Sequence, residues 1–132
     1  MSYFLDTNTC IYFLKGLHAN IQKRLQTKKP QEIKIPAMVM AELLFGAEHS
    51  KRVKQNRETV TNFLVPYEIV PFDATAAEMY ARIRSQLASL GTPIGPNDLI
   101  VAAIVLAHQG TLVTNNQQEF KRIKRLRVTN WA

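Results

Sequence analysis

Cysteine, acidic residues and long apolar stretches are scarce in this chain. Its one cysteine, Cys10, excludes an internal disulfide, and the opening Met1-Ser2-Tyr3-Phe4-Leu5-Asp6 has no basic segment leading into an apolar signal core, so a reducing cytoplasm is the expected location. The most apolar run, Leu99 to Ala107, falls well short of the ~18 residues that cross a bilayer, which excludes membrane insertion. There is no Gly/Ser linker, repeat or low-complexity tract, so residues 1–132 are expected to form a single domain. His18, His49 and His108 lack the mutual spacing of a zinc site. Only ten Asp and Glu stand against seventeen Lys and Arg, a formal charge of +7. An excess of that size attracts a polyanion, and nucleic acid is the first partner to consider.

Apolar strand patterns alternate with helical ones. Tyr3-Phe4-Leu5 reads as a strand, and Asp6-Thr7-Asn8-Thr9 as a turn capping a helix that begins at about Cys10. A surface helix is expected within His18 to Lys29. A strand through Ile33 and Ile35 leads into a helix that Pro36 opens and that runs to about His49. Lys51 to Leu64 carries a helical stripe, and Ile69-Val70-Pro71-Phe72 a strand. Met79, Ile83, Leu87 and Leu90 define a helix over 74–90 that Gly91 stops. A helix from Pro96 to Leu106, a strand over 111–114 and an edge strand at Arg127-Val128 complete the chain. Strands alternating with helices predict an α/β fold with a central, mostly parallel sheet covered on both faces. Ligands in such folds gather beyond the carboxyl ends of the strands, where Asp6 and Asn115-Asn116 fall.

Most of the ten acids are explained by solvent or capping: Glu32, Glu58, Glu68 and Glu78 lie in polar surroundings, and Asp73 precedes a helix as its N-cap. Asp6, Glu42 and Asp98 each border an apolar segment. Taken singly, Asp6 is a cap or a ligand, Glu42 a rim residue on the side of Phe45 and His49 or a ligand, and Asp98 a partner of the helix N-terminus or a ligand. Taken together, three such carboxylates at one sheet end repel one another unless a cation joins them. Hard divalent cations favour this oxygen chemistry, and Mg²⁺ keeps several waters and accepts phosphate oxygens. The combination of an acidic pocket and a basic surface points to phosphodiester hydrolysis.

At these residues the chain resembles the PIN-domain ribonucleases, and among them the VapC-type toxins of bacterial toxin–antitoxin pairs. Phe4-Leu5-Asp6-Thr7-Asn8, Pro36-Ala37-Met38-Val39-Met40-Ala41-Glu42-Leu43, Ile94 to Ala103 and Leu112 to Phe120 are similar to the family's four motifs, in order. The resemblance implies a three-layer α/β/α sandwich and a site in which Asp6, Glu42 and Asp98 hold Mg²⁺ or Mn²⁺ and activate water, with Thr7 and Thr114 supporting them. It also implies a homodimer and a VapB-type antitoxin that lays a peptide across the acidic groove, forming a hetero-oligomer. The sequence looks closest to the branch that cuts initiator tRNA in its anticodon stem-loop. Many members carry a fourth acid where Asn116 stands here. The expectation is that Asn116 ligates or orients water beside Asn115 and that Glu119 compensates as a catalytic acid.

Nine basic residues fall in two windows, Lys51, Arg52, Lys54 and Arg57, then Lys121, Arg122, Lys124, Arg125 and Arg127. Lys121, Arg122, Lys124 and Arg125 follow the last motif directly and are expected to hold RNA phosphates. Aromatic residues are sparse there, so base-stacking platforms are not indicated. Met38 and Phe45 are expected to reach the surface and serve a partner. The competing reading is a non-catalytic RNA-binding module with structural carboxylates, which metal dependence separates from an enzyme. Asp6-Thr7-Asn8-Thr9 is also similar to the nucleophile motif of haloacid-dehalogenase-like phosphatases, but Asn8 stands where those place an acidic general acid.

Overall fold

A computed structural model describes residues 1–132. Five strands form one sheet in the order β3-β2-β1-β4-β5, and every pairing is parallel. They are β1 (Tyr3–Leu5), β2 (Ile33–Pro36), β3 (Glu68–Val70), β4 (Thr111–Val113) and β5 (Arg127–Thr129). The helices are α1 (Thr7–Leu14), α2 (Ala19–Thr27), α3 (Ala37–Glu48), α4 (Val53–Leu64), α5 (Ala74–Leu90), α6 (Pro96–Ala107) and α7 (Gln117–Phe120). The α1, α2, α3 and α4 helices pack as a group, with α3 lying on β2 and β3, whereas α5 pairs with α6, which lies on β2 and β4. From β1 the chain steps outward through β2 to β3, then returns across the sheet to β4 and β5. The reversal falls between β1 and β4, and a doubly wound sheet opens its ligand crevice at that point.

The α/β reading holds, and the helix expected over 74–90 is α5 with its Asp73 cap and left-handed Gly91. Several boundaries differ, for physical reasons. The first helix begins at Thr7 rather than Cys10, because Asp6 is its N-cap and accepts the Thr9 N–H at 2.8 Å. Pro36 ends β2 in an extended conformation and Ala37 is the first helical residue. β3 stops at Val70, since Pro71 has no N–H to continue the ladder.

The core is apolar throughout, with Phe4, Ile35, Val39, Ile104, Val105 and Leu112 among its fully enclosed members. β1 lies at its centre and is the strand bearing Asp6 at its carboxyl end. Both ends of the chain close on each other, as Tyr3 and Trp131 meet with ring centroids 5.3 Å apart.

Candidate active site

Asp6 sits where β1 turns into α1, against the end of β4. Its backbone N–H donates to the Val113 carbonyl at 3.1 Å, and the Thr9 hydroxyl donates to the same carbonyl at 3.2 Å across 104 residues of sequence. Only 8% of Asp6 is exposed and Thr114 beside it is wholly buried. Burial pushes the Asp6 carboxyl up from its ordinary value, the Thr114 hydroxyl and Thr9 pull it back, and the Glu42 carboxylate adds repulsion. The cap and ligand readings of Asp6 therefore do not compete: one oxygen takes the Thr9 N–H, which fixes the rotamer that presents the carboxylate to its neighbours.

Glu42 enters from the middle of α3. The Thr7 hydroxyl donates to its Oε1 at 2.6 Å, and Asn97 at the start of α6 donates Nδ2 to its Oε2 at 3.4 Å. Asp98, the third residue of α6, sits in the first turn, where the helix dipole favours an anion. Its carboxyl is nevertheless raised to about 6, by burial first and then by the charges of Glu119, Glu42 and Asp6 in that order. That ranking places all four acids in one electrostatic neighbourhood, and Glu119 is the strongest neighbour of Asp98.

Glu119 is fixed from two sides. Gly95 N–H donates to its Oε1 at 3.1 Å and Asn116 Nδ2 to its Oε2 at 2.8 Å, while the Asn116 N–H donates to Thr114 Oγ1 at 2.9 Å. An amide at position 116 can donate to Glu119, and a carboxylate there would repel it. Asn116 and Glu119 thus make sense as a pair. Asn115 points elsewhere, its Oδ1 accepting Asn130 Nδ2 at 3.0 Å.

The donor set is all oxygen and suits a hard cation. No three Asp, Glu, His or Cys side chains converge into a ligand shell by themselves. Mg²⁺ does not require three: it is commonly bound directly by one or two carboxylates and keeps several waters.

The structure divides the second basic window. Arg122 donates to the Pro93 carbonyl at 3.0 Å, two residues before Gly95, whose N–H holds Glu119. Arg125 and Arg127 line a cavity with Gly110, at the other end of the sheet. Arg125 is therefore not beside the carboxylates. In the first window, Arg57 is engaged by Glu48 at 3.0 Å. Phe45 is 67% exposed, as expected, and with Met38, Thr7, Glu42 and Asn97 it borders an open recess of about 580 Å³. Three positioning groups escaped the sequence reading: Thr9, Gly95 and Asn97. Gly95-Pro96-Asn97 opening a helix was the available signal, since helix N-termini expose donors to anions.

Thr7 offers a direct check on this geometry. Thr7→Val is expected to release Glu42 and weaken divalent-ion binding about 10-fold, the low end of what groups behind a metal's ligands are worth. Titration calorimetry with Mn²⁺ reads it, and an unchanged affinity would remove Thr7 from the site.

Known proteins resemble this chain along its whole length. The PIN domain profile matches residues 3–126. The chain is 39% identical to Ribonuclease VapC2 of Rickettsia felis, over 99% of this chain and 98% of that protein. It is 34% identical to the tRNA(fMet)-specific endonuclease VapC of Salmonella typhimurium, over 100% and 99%. Among solved structures, VapBC2 from Rickettsia felis bound to a promoter DNA fragment superposes with a TM-score of 0.94 at 38% identity, covering both chains fully.

Proposed function

Because the chain belongs to the PIN domain family and matches VapC ribonucleases end to end, we propose that it is the toxin of a toxin–antitoxin pair and hydrolyses RNA phosphodiester bonds with a divalent cation. The observation that carries this reading is the gathering of Asp6, Glu42 and Glu119 around Asp98, whose carboxyl is raised to about 6 by burial first and then by their three charges. Hydrogen-bond donors alone leave that repulsion in place, and a cation relieves it.

Asp6, Asp98 and Glu42 are the residues that would hold Mg²⁺ or Mn²⁺, with Glu119 as the fourth acid in place of one at position 116. Bound there, the ion would polarise the phosphoryl group and lower the pKa of the attacking water. The protein's part is to hold the acids in place. Thr9 and Thr114 orient Asp6, Thr7 and Asn97 orient Glu42, and Gly95 and Asn116 orient Glu119. Lys121, Arg122 and Lys124, exposed on the chain that leaves α7, bring the substrate phosphates to this groove.

The substrate in this reading is initiator tRNA, cut in its anticodon stem-loop. The named specificity of the Salmonella typhimurium and Shigella flexneri relatives supports it. One domain, residues 1–132, carries the whole site and works in the cytoplasm as a homodimer. No helix is long and apolar enough to cross a membrane. The partner is a VapB-type antitoxin, in keeping with solved complexes of VapBC from Rickettsia felis and Salmonella typhimurium. Its peptide covers the acids and rests on the exposed ring of Phe45 at the rim of the recess. Phe45→Ala is expected to weaken the complex about 10-fold or more, as truncating a buried aromatic anchor does. An unchanged dissociation constant would move the antitoxin off this face.

Purified protein incubated with total tRNA and Mg²⁺, Mn²⁺ or EDTA tests the activity. Discrete fragments that vanish in EDTA and in Asp6→Ala and Asp98→Ala are expected, and their mapped ends name the substrate. RNA binding without cleavage, unchanged in both variants, would make the carboxylates structural and leave an RNA-binding module.

A further inference from the structure

A second cavity, of about 410 Å³, lies at the amino ends of β4 and β5, away from the acidic groove. Arg82 and Gln86 border it from α5, Gln109 and Gly110 from the turn into β4, and Arg125 and Arg127 from the approach to β5. Three guanidinium groups thus bound one hollow, with no acid lining it. The chain has just two ion pairs, Lys34 with Glu68 and Arg57 with Glu48, so none of the three arginines is neutralised. Glu78, one helical turn before Arg82, forms no ion pair with it. All three are exposed, and an anion meeting them would face three positive charges at once.

The cavity wall is also built with some strain. Gln109 has φ of +52°, a left-handed conformation that a residue with a side chain adopts only at a cost. Its carbonyl accepts the Arg127 guanidinium, and that contact holds Arg127 at the cavity. Planar guanidinium groups are well matched to phosphate.

We propose that this three-arginine cavity is a phosphate site that grips the backbone of a bound RNA away from the bond being cut. The proposal rests on the ribonuclease reading. The same stretch of chain links the two places: Arg122 stands at the groove, and Lys124, Arg125 and Arg127 follow along the edge of the sheet towards the cavity. Gly110 at the cavity and Thr114 beside Asp6 are four residues apart along β4, about 13 Å at the rise of a strand. An RNA that fills the groove and also reaches the cavity must therefore extend past the cut. A dinucleotide, with a single phosphate, cannot do so.

That difference in reach provides the test. Binding of unfractionated tRNA and of the dinucleotide uridylyl-uridine is measured in EDTA between 50 and 300 mM salt, for the natural protein and for Arg82→Gln/Arg125→Gln, which leaves the Arg127 contact intact. The variant is expected to bind tRNA about 10-fold more weakly, with a salt slope lower by about one to two units, since each lost phosphate contact removes ~0.7–0.9. Uridylyl-uridine binding in the groove is expected to be unchanged. An equal loss on both RNAs would mean disturbed folding and overturn the proposal, as would no change on either. Inorganic phosphate titrated calorimetrically separates the sources: if phosphate binding depends on the arginines but the tRNA slope does not, the site serves a free phosphate compound and the RNA assignment falls. Loss of antitoxin binding with an unchanged tRNA slope would overturn it in favour of an acidic peptide. Because binding is read without cleavage, failure of the ribonuclease reading appears separately, as absence of metal-dependent fragments from the natural protein.

Discussion

Asp98→Asn is expected to abolish RNA cleavage and at the same time make the protein harder to melt in EDTA. Cleavage should fall by more than about 100-fold, because even groups behind a metal's direct ligands are worth 10–100-fold. The gain in stability follows from the raised carboxyl. Asp98 titrates at about 6 in the folded chain against an ordinary 3.8, so the folded state binds this proton more tightly than the unfolded state. Its ionisation therefore opposes folding: the contribution of the neutral form is complete below about pH 4 and is lost as pH rises through 6. At pH 7.5 the cost is about 1–2 kcal/mol after allowance for partial solvent screening. Asparagine keeps the shape without the charge, and a Tm higher by about 3–8 °C is expected at that pH, narrowing to nothing near pH 4. Melting curves of both proteins in EDTA at pH 4.5, 6 and 7.5 read this difference. Mn²⁺ should reverse the order, stabilising the natural chain by mass action and the variant far less. A variant that melts lower than the natural protein at every pH would show that Asp98 is not crowded by its neighbours.

The second large effect concerns Gly110. A methyl group there would overlap the ring of Phe4 and come within 3.3 Å of the Ser2 carbonyl. Phe4 is 1% exposed on the central strand and has no room to yield. Gly110→Ala should cost about 2–3 kcal/mol, the upper range for overfilling a packed core. The control is Gly46 in α3, where an added methyl meets nothing within 4 Å. Gly46→Ala should gain about 0.5–1 kcal/mol from helix propensity. Urea unfolding of the two variants decides, and similar midpoints for both would mean that β1 and β4 do not approach as closely as described.

Glycine 110 also shows the limits of reading this chain from sequence. A glycine between a helix and a strand reads as the stop of that helix, but its closeness to Phe4 depends on β4 lying beside β1, which no local pattern reveals. The same holds at the site. Asp6, Glu42 and Asp98 stood out because charge interrupts apolar segments, and burial makes such interruptions costly. Thr9 and Asn97 do not interrupt anything; they are small polar residues at helix starts, where local capping already explains them. The pairing of Asn116 with Glu119 was half legible, as a missing acid and a possible substitute. The hydrogen bond that makes the amide preferable to an acid required the structure. The basic window shows the opposite error: seven neighbouring positions looked like one surface, and the turn towards β5 carries Arg125 and Arg127 to the far end of the sheet. Helix and strand identity followed from periodicity, whereas the three-residue shift at Asp6 and the one-residue shift at Pro36 came from capping and extended backbone.

The strand at the centre of the sheet comes first of the five in chain order, and β4, one of its two neighbours, comes fourth. β1 pairs with β4 as well as β2, and Tyr3 closes against Trp131 at the very end of the chain. A nascent chain therefore carries Asp6 and Glu42 long before it has Asp98, the Thr114 hydroxyl or Glu119. Contacts so distant in sequence form late and together. A nuclease with this order of strands has no partly active fragment to release during translation: β4 and α7 must both be made before the acids can meet.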